Sequence, residues 1–200
     1  SIYTQDNNVT LFTDANDQYA KMFQELENAK ETINVLYFII KTKDASGRKL
    51  LEILTRKAAQ GVEVKLIYDI LGYSRTSKRD FDPLRQAGGQ VYGFMPSVIK
   101  SLLQANYRMH RKIVIIDGSI AYTGGINIGD DYLGKDPVVT PWRDTAVRLT
   151  GSCVQAAQFR FLSDWAYLEK QASKRKRNET DSPEKLIKYF KNPVETGSMG

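Results

Sequence analysis

The chain has little with which to staple itself or to hold a metal. In 200 residues it carries one cysteine, Cys153, and one histidine, His110. A lone thiol makes no internal disulfide, so the fold does not depend on an oxidising compartment, and Cys153 reads as a small packed residue. With one imidazole and one thiol there is no His/Cys cluster, so no metal or other cofactor is expected. Long apolar runs are also missing: none reaches the ~18 residues of a membrane-spanning helix. No secretory leader is read at the front, and the chain starts at Ser1 rather than Met, as expected of a piece cut from a longer protein. The glycines between Gly124 and Gly134 are not followed by G-K-[ST], which excludes a nucleotide P-loop. Asp130 and Asp131 beside them read as turn or cap residues. No internal repeat is visible, so a motif built on histidine can occur only once.

What is there suits one globular domain: 42% hydrophobic residues, a net charge of +6 and a pI near 9.3. The basic balance suits either solubility alone or an anionic partner: a phospholipid surface, a nucleic acid or a phosphorylated substrate. Short apolar runs alternate with helical patterns, the signature of an α/β domain. Strands are expected at Asn8 to Phe12, Ile33 to Ile40, Val62 to Ile70, Gln90 to Met95, Met109 to Ile116, Ser119 to Ile128 and Asp144 to Leu149. Asp14 is placed to cap a helix whose apolar positions are Tyr19, Met22, Phe23 and Leu26. Ser46 is placed to open a second, with Leu50, Leu54 and Ala58 on one stripe and Gly61 closing it. Asp80 to Ala87 reads as a short helix. Ser152 and Gln155 read as a capping box for a helix presenting Val154, Phe161, Trp165 and Leu168. From Ala172 the composition turns polar, with Lys174-Arg175-Lys176-Arg177, so a domain over 1–171 and a charged linker or tail over 172–200 are expected. Two further segments draw notice. Pro96 to Leu103 is either a membrane-facing loop or a buried connector. Arg75, Lys78 and Arg79 read as a solvated basic loop.

The chemistry is concentrated in His110-Arg111-Lys112-Ile113-Val114-Ile115-Ile116-Asp117, of the form H-x-K-x4-D, followed by Gly124-Gly125-Ile126-Asn127. On a strand, His110 and Lys112 point to one face. With Asp117-Gly118 as a two-residue turn, Lys112 faces Thr123, His110 faces Gly125, and Asn127 joins them on that side. Gly125, without a side chain, then leaves room over His110 for a substrate group. A three-residue turn would shift this pairing by one. A neutral imidazole is a usable nucleophile near neutral pH, and a phosphodiester is an anion that resists attack. Lys112 brings a positive charge to a phosphate oxygen, worth about 4 kcal/mol at ~4 Å and an effective dielectric of ~20 before desolvation. Asn127 brings neutral amide donors. Asp117 read alone is an ordinary turn residue.

These residues match H-x-K-x4-D-x6-G-[GS]-x-N, the motif of the phospholipase D superfamily, at every defined position. The wider segments TINVLYFII, GVEVKLIYDILG, NYRMHRKIVIID, GGINIGDDYLG and WRDT resemble the amino-terminal repeat of bacterial cardiolipin synthases, over about Ile33 to Trp165. The resemblance implies a phospholipase D-type sandwich: a mixed β-sheet flanked by helices on both faces. It implies that His110 forms a phosphohistidine, that Lys112 and Asn127 bind phosphate, and that Asp117 is mainly a structural partner. It also implies a later carboxylate that orients the nucleophile, for which Asp144 in WRDT is the candidate. An ion pair with Arg143 is the plainer reading of Asp144.

Superfamily sites use two such motifs, and this chain has one. The resemblance therefore implies a second motif, either in the same polypeptide or in a homodimer, with the charged tail standing where a linker to a second repeat would begin. It further implies phosphatidylglycerol and an anionic membrane surface as partners. The whole protein would then be anchored in the cell membrane, this segment being soluble in itself. The expected activity is a half-site for making cardiolipin and glycerol from two phosphatidylglycerols. The alternatives are a dimeric single-motif phosphodiesterase or nuclease, with nucleic acid disfavoured by the flanking segments, and a non-catalytic half-domain that binds anionic lipid.

Overall fold

The computed structural model describes Thr4 and residues 6–94, 110–134, 142–176 and 189–190, with side chains as far as 172 in the last helix. Seven strands form one mixed sheet: β1 (Asn8–Phe12), β2 (Thr32–Tyr37), β3 (Glu63–Asp69), β4 (Gln90–Phe94), β5 (Ile113–Ile116), β6 (Ile120–Gly124) and β7 (Ala146–Thr150), in the order β1-β7-β6-β5-β2-β3-β4. β2, β3 and β4 run parallel, and the other neighbours pair antiparallel. The described helices are α1 (Ala15–Glu27), α2 (Ala45–Ala59), α3 (Asp82–Gln86) and α4 (Val154–Lys176).

Alternation along the strands divides the apolar side chains into two cores. Ile33, Val35 and Tyr37 of β2, with Val114 and Ile116 of β5, pack against α1, α2 and α3. Leu36, Ile113 and Ile115 face the other way, onto Val154, Phe161, Trp165 and Leu168 of α4. The sheet thus has helices on both faces, as the resemblance implied. The run 32–37 is buried throughout, which explains why it lacks an alternating pattern in sequence.

Several boundaries differ from the sequence expectation. β2 stops at Tyr37, although Ile40 makes an isolated bridge to Ile128. The N-cap of α2 is Asp44, and Ser46 lies buried inside the helix. The carboxylate that serves the first turn comes from elsewhere: Asp130 accepts from the backbone N–H groups of Ala45 and Ser46. Asp131 pairs with Lys41 at 2.9 Å. The segment expected as one helix over 80–87 is a 3-10 turn, Lys78–Phe81, running into α3, where Pro83 sits in the first turn without needing an N–H partner. At the far end, α4 runs past Ala172 to Lys176, and Tyr189 is buried against the α4 side of the sheet. There Lys65 Nζ lies 4.8 Å from the Trp165 ring centre and 5.6 Å from that of Tyr189. Pro96 to Leu103 and Arg177 lie outside the described residues. No described helix is long and apolar enough to cross a membrane.

Candidate active site

The hairpin that carries the motif turns at Asp117-Gly118, both at positive φ (50° and 62°), and Ser119 N–H donates to the Ile116 carbonyl at 3.1 Å. The ladder nevertheless pairs Ile116 with Ile120 and Ile113 with Thr123. Ser119 is thus an extra residue, and the two-residue register expected from Asp-Gly is shifted by one. β5 begins only at Ile113, so His110, Arg111 and Lys112 precede the ladder. The proximity of His110 and Lys112 therefore does not arise from cross-strand pairing with Gly125 and Asn127.

It arises from Lys112 folding back. Its Nζ donates to the His110 carbonyl at 3.1 Å and lies 3.3 Å from Nε2 and 3.4 Å from Nδ1 of the imidazole. His110 is exposed, whereas Lys112 is 4% exposed. Burial pushes the Lys112 ammonium below the usual lysine range, and the nearby Asp144 carboxylate opposes that shift in part. A partly desolvated cation beside an accessible imidazole interacts strongly with an anion that displaces the remaining water.

Asp144 reaches the site across Gly125. A Cβ on Gly125 would meet Asp144 Oδ1 at 2.0 Å and Oδ2 at 2.7 Å. The room expected over His110 for a substrate group is therefore taken by this carboxylate, and Gly125 makes space for Asp144. Gly125 N–H holds the Thr145 carbonyl at 2.8 Å, and Asp144 Oδ1 accepts from Thr145 N–H at 2.7 Å. Among the described residues no hydrogen bond joins Asp144 to His110, and none joins it to Arg143.

Asn127 is 5% exposed and mostly committed within the protein. Its Oδ1 accepts from Ile39 N–H at 3.1 Å, and its Nδ2 donates to the Tyr132 hydroxyl at 2.7 Å. One amide proton remains for a ligand. The Tyr19 hydroxyl donates to the Asn127 carbonyl and accepts from Gly129 N–H at 3.2 Å. Burial raises the Tyr132 and Tyr19 hydroxyls above the usual tyrosine range, which keeps both protonated as donors. Trp142 packs edge-on to Tyr132 at 4.8 Å.

Asp117 sits at the opposite end of β5. Its carboxylate accepts from the N–H groups of Lys30, Glu31 and Thr32 at 2.8–3.2 Å, while its own N–H donates to the Thr32 carbonyl. It ties the hairpin turn to the start of β2. Among the described residues no group of three or more His, Cys, Asp or Glu could hold a metal ion.

Sequence reasoning missed Phe38, Ile39, Tyr19 and Tyr132. A usable signal was present for the first pair: they follow a buried parallel strand, at the strand end where α/β sheets place their sites. Tyr132 lies in the quoted segment GGINIGDDYLG but at no defined position of the motif.

The comparisons with known proteins agree with the fold. The solved structures of NucT from Helicobacter pylori (TM-score 0.60, 15% identity, 79% of this chain and 95% of that one) and of Nuc from Salmonella typhimurium, a phospholipase D family member (0.59, 14%, 80% and 95%), share its fold. The cardiolipin synthase of Clostridium perfringens strain 13 is 44% identical over 98% of this chain, and the major cardiolipin synthase of Bacillus subtilis strain 168 is 45% identical over 82%. The chain spans 39% and 34% of their respective lengths. Residues 22–137, which hold both halves of the histidine motif, match the family described as cardiolipin synthase, PLD-like domain, and it is to this family that the chain belongs.

Proposed function

We propose that this chain is one half-site of a phosphatidyltransferase that makes cardiolipin and glycerol from two phosphatidylglycerols. The observation that carries the reading is an exposed imidazole with a buried ammonium group 3.3–3.4 Å from both its ring nitrogens. His110 attacks phosphorus, a P–N bond forms, and the P–O bond to glycerol breaks. The departing glycerol takes its proton from an acid on a second motif, in the same polypeptide or in a second copy of this chain. The hydroxyl of another phosphatidylglycerol then attacks the phosphohistidine, giving up its proton to the same group and releasing the imidazole. Lys112 and the remaining amide proton of Asn127 bind the phosphoryl oxygens as charge builds on them. Asp144, held over Gly125 beside Lys112, places negative charge where an imidazolium benefits from it. Asp117 acts at a distance, by holding the hairpin.

The relatives at 44–45% identity bear the name cardiolipin synthase, whereas the likeness to Nuc and NucT is one of fold. This favours lipid over nucleic acid as the diester. An amphiphilic substrate also places the working protein at a membrane surface, where a +6 charge is drawn to anionic lipid.

The test is to mix the intact polypeptide carrying this domain with phosphatidylglycerol vesicles and quench rapidly in cold alkaline denaturant, since phosphoramidates hydrolyse in acid. Peptide mass mapping should find a phosphatidyl adduct on His110 that disappears in His110→Ala. An adduct confined to a histidine outside this chain would reassign His110 as the acid.

A further inference from the structure

The segment Phe38–Ile39, at the end of β2, touches both halves of the motif at once. The Phe38 ring lies 4.9 Å from the His110 ring, centre to centre, with 57° between their planes. The Lys112 ammonium sits 5.7 Å from the centre of the same phenyl ring. The next residue, Ile39, gives its N–H to Asn127 Oδ1. Phe38 itself is half-buried, and its backbone is held tightly: a Cβ on Gly72 would meet the Phe38 carbonyl oxygen at 1.8 Å. That close approach of two backbones fixes where the ring leaves the sheet.

From this we propose that Phe38 is a positioning residue for the reaction at His110, a proposal that rests on the function given above. An exposed imidazole on a segment outside the ladder has no strand partner to set its rotation. A phenyl ring packed against it removes part of that freedom and leaves phosphorus to meet a nitrogen lone pair in the plane of the imidazole. The same ring meets the Lys112 ammonium through its electron-rich face. It therefore holds nucleophile and cation in one relative placement while offering neither of them a hydrogen bond. A carboxylate or amide in its place would bond to the imidazole or the ammonium and take up groups the phosphate needs. Misplacement by about 1 Å is enough to slow a positioned reaction about 100-fold.

Two readouts on three proteins test this. In the 200-residue chain the only histidine is His110, so its imidazole proton resonances report ring packing directly. Phe38→Leu keeps an apolar side chain but removes the ring, and is expected to abolish the ring-current shift of those protons. Phe38→Tyr keeps the ring face and the shift. In the intact polypeptide, the rate of adduct formation on His110 is expected to fall about 10–100-fold in Phe38→Leu with KM unchanged, and to recover in Phe38→Tyr. Circular dichroism checks that the variants fold. An unaltered imidazole spectrum in Phe38→Leu, or an unaltered adduct rate in a folded Phe38→Leu, overturns the proposal and leaves the function standing. No adduct on His110 in the unsubstituted protein, with the ring-current shift present, would instead overturn the functional reading and the proposal with it.

Discussion

At the scale of single residues, the site opposes local stability to chemistry. Lys112 is an ammonium group in a buried position, and burial disfavours its charge. Lys112→Met keeps the stem and removes the charge. It is expected to lower adduct formation by about 10²–10³-fold, the range for loss of one preorganised electrostatic contact. The urea midpoint of the same variant should stay level or rise. Gly125→Ala probes the neighbouring crowding, because the new methyl would fall within 2.0 Å of Asp144 Oδ1 and force that carboxylate away. A loss of activity well beyond any loss of stability is expected, measured as the adduct rate against the denaturation midpoint. The motif made His110, Lys112, Asp117 and Asn127 legible, because their spacing is rare by chance. Gly125 was read as empty room, since nothing in a sequence says which side chain will fill a gap left by glycine. Phe38 and Tyr132 were read only as members of a strand and of a quoted segment, being aromatic residues among many.

Among the elements, the hairpin depends on a carboxylate that serves another strand. Asp117 answers three consecutive backbone donors at the entry to β2. Asp117→Asn keeps a residue that tolerates positive φ, so the substitution isolates the loss of charge and acceptor capacity. A destabilisation of about 1–3 kcal/mol is expected, read by urea denaturation. The order of strands and helices was legible from apolar periodicity and caps: Asp14 does accept from Asn16 N–H, as its position before α1 implies. The pairing of β5 with β6 was not. Asp-Gly signals a tight turn but does not count the residues left over before the ladder resumes, and one additional residue, Ser119, moved every cross-strand partner. Likewise the capping of α2 by Asp130 is a contact between segments far apart in sequence, which no local pattern carries.

Across the whole molecule, charge ties the first helix to β6 and β7 on the sheet face it covers. Glu25 of α1 accepts from Arg148 of β7 at 3.0 Å and from the Tyr122 hydroxyl of β6. Burial alone would raise its pKa, but the hydrogen bonds from Arg148 and Tyr122 outweigh burial and hold it below 4.5. A carboxylate depressed in the folded state stabilises fully above its unfolded value and loses that contribution as acid protonates it. Stability should therefore decline as pH falls below about 4.5, and Glu25→Gln should flatten that part of the curve, followed by thermal denaturation across the acid range. The division into a domain with helices on both faces was legible. The burial of Tyr189 beside Lys65 and Trp165 was not, because residues 172–200 read as a charged linker or tail.

The sheet changes direction between β2 and β5, so the carboxyl ends of β2, β3 and β4 lie at the same rim as the amino end of β5. The residues proposed to handle phosphorus cluster there, while Asp117 fastens the hairpin at the other rim. On the proposed function, the residues that leave β3 beyond Gly72 are expected to be exchangeable between homologues to alter substrate choice, without touching the anchor at the opposite rim. For protein engineering, one edge of this domain is a foundation and the other is a workbench.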